Sequence, residues 1–224
     1  MIKRMVKSIF KQMGYEIRTK PFLMMSTESM GLLRYFGRLF DEIAHVEGDI
    51  VECGVYHGRT FLMLAYLLSE EQSKFNRMIW GFDSFKGFPQ PTAEDILFRI
   101  PNKGRFRATS LEKVSEFFRS SGLSREFIDT QIRLIPGFFS ESLKNFPDRP
   151  IAFLHIDCDL YQAHHEVLTN LFPKVAEGGI VSFDDYHDVD WPGATKAIDE
   201  FFASTGYPIR YDPLPQKYFV IKKR

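Results

Sequence analysis

Two short stretches carry paired acids where a globular chain rarely places them. In "HIDCDLY", His155–Tyr161, Asp157 and Asp159 stand one residue apart directly after the apolar run Ile151–Leu154. In "GIVSFDD", Gly179–Asp185, Asp184 and Asp185 close another apolar run. Carboxylates are costly to bury, so acids at the ends of core strands need a reason. Consecutive parallel strands usually lie side by side. The four acids should therefore meet at one sheet edge, where they would repel one another and raise each other's pKa. A divalent cation resolves that repulsion. Mg²⁺ takes oxygen ligands in octahedral geometry and keeps positions for water or substrate. Lys174 is the one basic residue close to the cluster in sequence, and it falls at the far end of the following helix. Capping and surface roles are the alternative assignment.

A second constellation precedes it. "ECGVYHGRT", Glu52–Thr60, ends an apolar strand with an acid, follows it with Gly54 and Gly58, and opens a helix. Glycine permits a sharp turn and close approach of a ligand to the backbone. The pattern is neither GxGxxG nor a phosphate-binding GxxxxGKS. With no lysine and an acid in front, it suits an ammonium-bearing ligand that Glu52 meets directly or through water; a tight turn without ligand is the alternative. Asp83, in "WGFDSF" about 30 residues on, can accept both hydroxyls of a ribose, or cap a turn. Together the two describe adenosine with a charged amino-acid tail, which is S-adenosylmethionine. A metal beside such a cofactor suits methyl transfer to an alcohol. It lowers the pKa of a poorly nucleophilic hydroxyl, a carboxylate takes the proton, and alignment of oxygen with methyl supplies much of the rate.

The elements that must hold these residues alternate. Strands are expected at Gly48–Gly54, Arg77–Asp83, Gln131–Gly137, Ile151–Asp157 and Gly179–Asp185. Helices are expected at Met30–Ala44, Gly58–Leu68, Ser110–Arg119, Ser140–Asn145, Gln162–Phe172 and Pro192–Phe202. Near-continuous apolar strands separated by helices predict a parallel sheet covered on both faces. The end differs: "YPIRYD" and "KYFVIKK", joined by "PLPQ", should pair antiparallel. Residues 84–109 are too long for a plain connection and follow the second strand on the ligand-binding edge, which predicts a lid.

Composition narrows the partners. The chain has 224 residues, enough for one domain with a real core and short for two. Lys+Arg and Asp+Glu balance at 29 each, which disfavours a nucleic-acid substrate. Cys53 and Cys158 match no zinc spacing and read as reduced thiols of a cytoplasmic protein. The longest apolar run, Phe61–Leu68, is far below the ~20 residues of a membrane span. Ile2, Met5, Val6, Ile9, Phe10 and Met13 follow helical spacing with Lys3, Lys7 and Lys11 on another face. Docking on the chain's own domain or a partner subunit is the expectation there, ahead of a membrane surface.

The stretches "GDIVECGVYHGRT", "GFDSFKGFPQPTAED", "IRLIPGFFSESL", "LHIDCDLYQAHHEVLTNLFPKVAEGGIVSFDDY" and "PGATKAIDEFF" resemble the macrocin O-methyltransferase family, metal-dependent class I enzymes that methylate sugar hydroxyls. The resemblance covers about Gly48–Phe202. It implies a Rossmann-like, mostly parallel seven-stranded sheet ending in an antiparallel hairpin. Residues 1–45 would form a helical extension and 46–224 the methyltransferase domain, with its lid at 84–109. It also implies Asp157, Asp184 and Asp185 as ligands of Mg²⁺ and Asp159 as general base. S-adenosylmethionine would lie against Glu52, Gly54, Gly58 and Asp83, and by extension Cys53, Val55, Thr60, Ser84, Gly137 and Asp157. The acceptor would be a small-molecule sugar or glycoside and the assembly a homo-oligomer. Cys158 departs from the small residue, often glycine, between the family's two aspartates.

Other residues have plainer expectations. His187 is the alternative base; a metal that keeps Asp159 ionised favours Asp159. His164 and His165 are expected on an exposed helix face, His57 on turn or cofactor, Trp191 and Pro192 at the substrate cleft. "DCD" also fits the DxD signature of metal-dependent glycosyltransferases, but that reading leaves "ECGVYHG" and Asp184–Asp185 unexplained. A scaffold without activity has no use for the acid cluster.

Overall fold

The computed structural model describes residues 26–71, 75–96 and 101–223. The apolar runs form seven strands: β1 Asp49–Cys53, β2 Ile79–Asp83, β3 Ile132–Pro136, β4 Ile151–Ile156, β5 Val175–Phe183, β6 Arg210–Asp212 and β7 Lys217–Ile221. They hydrogen-bond in the order β3-β2-β1-β4-β5-β7-β6. The first five are parallel, and β7 runs antiparallel to both β5 and β6. Every residue of β1 and β4 is buried, as the centre of a doubly covered sheet requires. The strand order reverses between β1 and β4, so the crevice at their carboxyl ends is the ligand site expected of such sheets.

Among the described residues seven α-helices accompany the strands: α1 Thr27–Ile43, α2 Arg59–Glu70, α3 Leu111–Arg119, α4 Arg125–Gln131, α5 Phe139–Ser142, α6 Tyr161–Leu171 and α7 Pro192–Phe202. Alternating strand residues serve opposite faces. Ile50, Phe153 and Ile180 pack in one core with Tyr35, Phe36 and Phe40 of α1 and Phe61 of α2. Val51, Leu154 and Val181 pack in the other with Val167 and Leu171 of α6 and Phe202 of α7. The many phenylalanines fill both layers.

Two elements differ from the sequence expectation. The short helix α4, capped by Ser124, buries only Phe127 and so carries no periodic stripe to read. Strand β5 begins at Val175 and not at Gly179: Val175 pairs with Ile151 before a register shift, and the strand runs through Gly178 at φ 82°. The amphipathic pattern at Ile2–Met13 lies outside the described residues. Among those described, no helix is long and apolar enough to cross a membrane. Cys53 and Cys158 are separate buried thiols.

Charged side chains close the amino ends of the strands. Buried Arg77 donates to the carbonyls of Gly48 and Ile43 and pairs with Glu71 at 3.0 Å. Buried Asp49 accepts from the Trp80 indole and the Arg149 guanidinium. The carboxyl ends are left open for ligands.

Candidate active site

Strands β4 and β5 pair Ile156 with Phe183, so the acids that follow them emerge side by side. Asp157 stands between two clefts and lines both. The first, about 380 Å³, is bordered by Gly54, Asp83, Ser84, Gly137, Cys158 and Asp159. The second, about 460 Å³ on the α1 side, is bordered by Thr27, Arg59, Thr60, Asp184 and Lys217.

Gly54 is required by chain crossing. Its φ is 100°, and a Cβ there would stand 1.6 Å from the Asp157 carbonyl oxygen. The loops after β1 and β4 thus touch, which brings the glycine turn and the acids together. Gly58 caps α2 in a left-handed conformation against Phe118. Asp83 accepts from the Tyr56 amide at 2.7 Å and the Phe85 amide at 2.7 Å. It orders both loops while still facing the first cleft.

The remaining expected cofactor residues divide. Thr60 faces the second cleft. Cys53 and Val55 are core residues of opposite layers, and neither they nor Gly58 border either cleft. Glu52 is fully buried in β1, and neither carboxylate oxygen has a hydrogen-bond partner. Burial, and then the charges of Asp184 and Asp83, push its pKa well up.

The four aspartates have different surroundings. Burial, followed by repulsion from Asp184, raises Asp157 far above the usual carboxylate range and brings Asp159 to about 7; Arg105 opposes the shift at Asp159. Asp159 adopts φ 61°, a left-handed conformation uncommon outside glycine. Asp185 holds it there: its Oδ2 accepts from the amides of Asp159 at 2.8 Å and Cys158 at 3.1 Å. Asp184 instead meets Lys217, whose Nζ lies 2.8 Å from Oδ1. Basic residues distant in sequence also approach the acids: Lys217 from the C-terminal hairpin and Arg105 from the segment after β2. Three donor groups come within 4.8 Å of one another, those of His155, Asp157 and Asp184. Asp185 is outside that group.

The histidines also differ from expectation. His164 is buried, not exposed: Nδ1 lies 3.1 Å from the Leu160 carbonyl and 3.4 Å from Cys158 Sγ, and Nε2 lies 3.6 Å from Asp185 Oδ2. Helix α6 is covered by α7 as well as the sheet, which buries a position that one polar letter suggests is wet. His165 is exposed as expected. His187 is exposed, with its ring against Tyr186 and Tyr218, and it borders neither cleft. His155 is not among the residues that the sequence motifs single out. Its position two residues before Asp157 on a strand puts both on one face, a period-two signal that was available.

The described parts of the segment after β2, residues 84–96 and 101–109, border the first cleft through Ser84, Gly87, Phe88 and Phe106. The Phe88 amide donates to the Arg105 carbonyl and the Gly104 amide to the Phe88 carbonyl. Phe88 and Phe106 pack against Trp191, with the Arg105 guanidinium 5.1 Å from the Trp191 ring centre. Buried Asp95 fastens the segment: its Oδ1 accepts from the Tyr161 amide at 2.7 Å, and its Oδ2 from the Thr92 amide at 2.8 Å.

The seven-stranded order with an antiparallel end, and a crevice of acids and glycines at the carboxyl ends, defines a class I methyltransferase fold. Two solved structures share it: the O-methyltransferase NovP, with TM-score 0.76 and 29% identity over 87% of this chain and 81% of that one, and the calicheamicin methyltransferase CalS11, with TM-score 0.77 and 28% identity over 86% and 79%. The chain belongs to the macrocin-O-methyltransferase (TylF) family, whose model matches residues 21–210. Among curated relatives, demethyldecarbamoylnovobiocin O-methyltransferase of Streptomyces niveus is 35% identical over 71% of this chain and 60% of its own length. Mycinamicin III 3''-O-methyltransferase of Micromonospora griseorubida is 32% identical over 70% and 61%. The chain thus spans about 60% of the length of these relatives.

Proposed function

We propose that the protein is an S-adenosylmethionine-dependent O-methyltransferase that acts on a sugar hydroxyl of a small glycoside or activated sugar with the help of a divalent cation. The observation that carries this reading is the turn Asp157–Asp159, which stands between two clefts and beside Asp184. Relatives with names that specify 3''- and 4'-O-methyl transfer, and CalS11 as a TDP-rhamnose 3'-O-methyltransferase, support the sugar. Family membership favours this chemistry over the glycosyl transfer that DxD alone would allow.

Asp83 would receive the ribose in the first cleft, and Asp157 the ammonium of the amino-acid tail. Arg59 and Thr60 in the second cleft are suited to its carboxylate. When bound, S-adenosylmethionine supplies an electrophilic methyl carbon. The donor set fits a divalent ion: carboxylates of Asp157 and Asp184 converge beside a buried imidazole that has no hydrogen-bond partner. Those residues would hold the ion, with Asp185 adjoining, and the chemistry it would supply is a lowered hydroxyl pKa. Asp159 then takes the hydroxyl proton on a carboxylate oxygen. Trp191, Phe88 and Phe106 shield the cleft from water, and Arg105 helps keep Asp159 ionised.

Labelled S-adenosylmethionine, incubated with nucleotide sugars and glycosides with and without a chelator, tests this. Label transfer that stops on chelation is expected. Transfer indifferent to the chelator would sink the metal, and no transfer to any sugar would sink the acceptor class.

A further inference from the structure

His155 is a buried imidazole with nothing to bond to. It is 1% exposed, and neither ring nitrogen has a hydrogen-bond partner; the Ser182 backbone approaches it, but outside normal geometry. Buried polar groups in folded proteins are almost always satisfied, so an orphan of this kind asks for a missing partner. Its location says which. His155 precedes Asp157 by two strand positions, and Ser182, its cross-strand partner, precedes Asp184 by two. The three side chains therefore leave the same sheet face, toward α1. One ring nitrogen and one carboxylate oxygen from each aspartate lie within 4.8 Å of one another. Trans ligands of an octahedral ion at 2.0–2.1 Å are about 4.2 Å apart, so small side-chain adjustments bring all three onto one ion.

We infer that His155 is a ligand of the divalent cation, and that the seat His155–Asp157–Asp184 is a mixed nitrogen–oxygen site that selects a transition metal over Mg²⁺. This rests on the metal-dependent reading above and names the ion's class and one further ligand. Imidazole suits first-row transition ions, while all-oxygen sets suit Mg²⁺. A carboxylate that could receive the other imidazole N–H is also at hand. Metal-ligating imidazoles usually donate their other N–H to a carboxylate, and Glu52 is the residue in register with His155 on the neighbouring strand, on the same face. Both its oxygens are likewise unpartnered. The two orphans explain each other once an ion draws one imidazole nitrogen forward. Asp185, whose Oδ2 is occupied by two amides, is free to serve the turn.

The experiment loads metal-free protein with Mn²⁺ and reads the bound ion by pulsed electron paramagnetic resonance, without turnover. Coupling to one ¹⁴N is expected in the native protein and should vanish in His155→Asn. Glu52→Gln should weaken Mn²⁺ binding about tenfold while the nitrogen coupling persists. Mg²⁺ should displace Mn²⁺ only in large excess. Bound Mn²⁺ without nitrogen coupling in the native protein would overturn the inference and leave the metal reading standing. Failure of Mn²⁺, Co²⁺ and Mg²⁺ alike to bind would overturn both. Because the native spectrum decides, misfolding of the variant cannot shield the claim.

Discussion

Lys217 grips Asp184 twice. Its Nζ lies 2.8 Å from the carboxylate Oδ1 and 2.9 Å from the backbone carbonyl. The acid cluster therefore has a resident counter-cation supplied by β7. Burial disfavours the charge on Lys217, yet the field of Asp184, with Asp185 and Asp157 behind it, leaves its pKa raised. A divalent ion would have to share Asp184 with this lysine or displace it.

Lys217→Met separates those roles. Without metal, the variant loses a partly screened ion pair and gains repulsion among the acids. It should be less stable by about 1 kcal/mol, or about 2–4 °C in melting temperature for a domain of this size. With Mn²⁺ the order should reverse, because the ion no longer competes with the ammonium. Thermal unfolding of both proteins with and without Mn²⁺ checks this; equal metal-induced gains in the two would show that Lys217 and the ion do not share Asp184.

The Asp159 carboxyl gives a pH signature. Its pKa rises from an ordinary 3.8 to about 7, chiefly by burial. The folded state thus keeps its proton after the unfolded chain has lost it, so stability falls as pH rises from about 4 to about 7 and is flat above. Asp159→Asn mimics the neutral acid and removes this loss. In metal-free protein its advantage over the native chain should be on the order of 2 kcal/mol greater at pH 8 than at pH 5. Urea midpoints at the two pH values measure it. The same variant should lack methyl transfer, since an amide cannot take the proton.

What the sequence made legible follows from local rules. Asp157 and Asp184 were readable because an apolar run that ends in an acid marks a strand end, and adjacency of β4 and β5 follows from chain order. Strand periodicity also contains His155. Lys217 was not readable, because its position depends on the antiparallel register that sets Tyr218 opposite Phe183 and so places Lys217 beside Asp184. Arg105 comes from an irregular segment without period. His164 shows the limit of judging burial from one letter, since a second helix layer covers it. The division between Asp184 and Asp185 arises in a turn where strand alternation ends, so sequence treats them as equivalents.

Gly193 of α7 lies directly against the Asp95 carboxylate, and there the usual sign of a substitution reverses. Glycine to alanine within a helix normally stabilises by roughly 0.5–1 kcal/mol. Here the new Cβ would stand 2.1 Å from Asp95 Oδ1, the atom that accepts from the Tyr161 amide. Gly193→Ala should therefore loosen residues 84–96 from α6 and α7. It should raise KM more than it lowers kcat and hasten protease cleavage in this segment. Asp95→Ala should do the same, as it removes both anchors. Limited proteolysis with and without S-adenosylhomocysteine reports the effect. Unchanged cleavage in both variants would mean that other contacts, such as Phe88 with Trp191, hold the segment.

Asp185 can be placed by a conservative change. Its Oδ2 receives two amides and fixes Asp159 at φ 61°, work that a neutral amide oxygen can also do. If this is its main task, Asp185→Asn should keep Mn²⁺ affinity and most of kcat. Asp185→Ala should lose kcat by tenfold or more, about 1.4 kcal/mol in barrier, because Asp159 is released from its strained turn. A ligand role predicts the opposite split: Asn would weaken the ion sharply and Ala would do little worse. Mn²⁺ titrations beside kcat for the two variants distinguish these patterns. The amide contacts in hand favour the first, with His155 rather than Asp185 as the third arm of the seat.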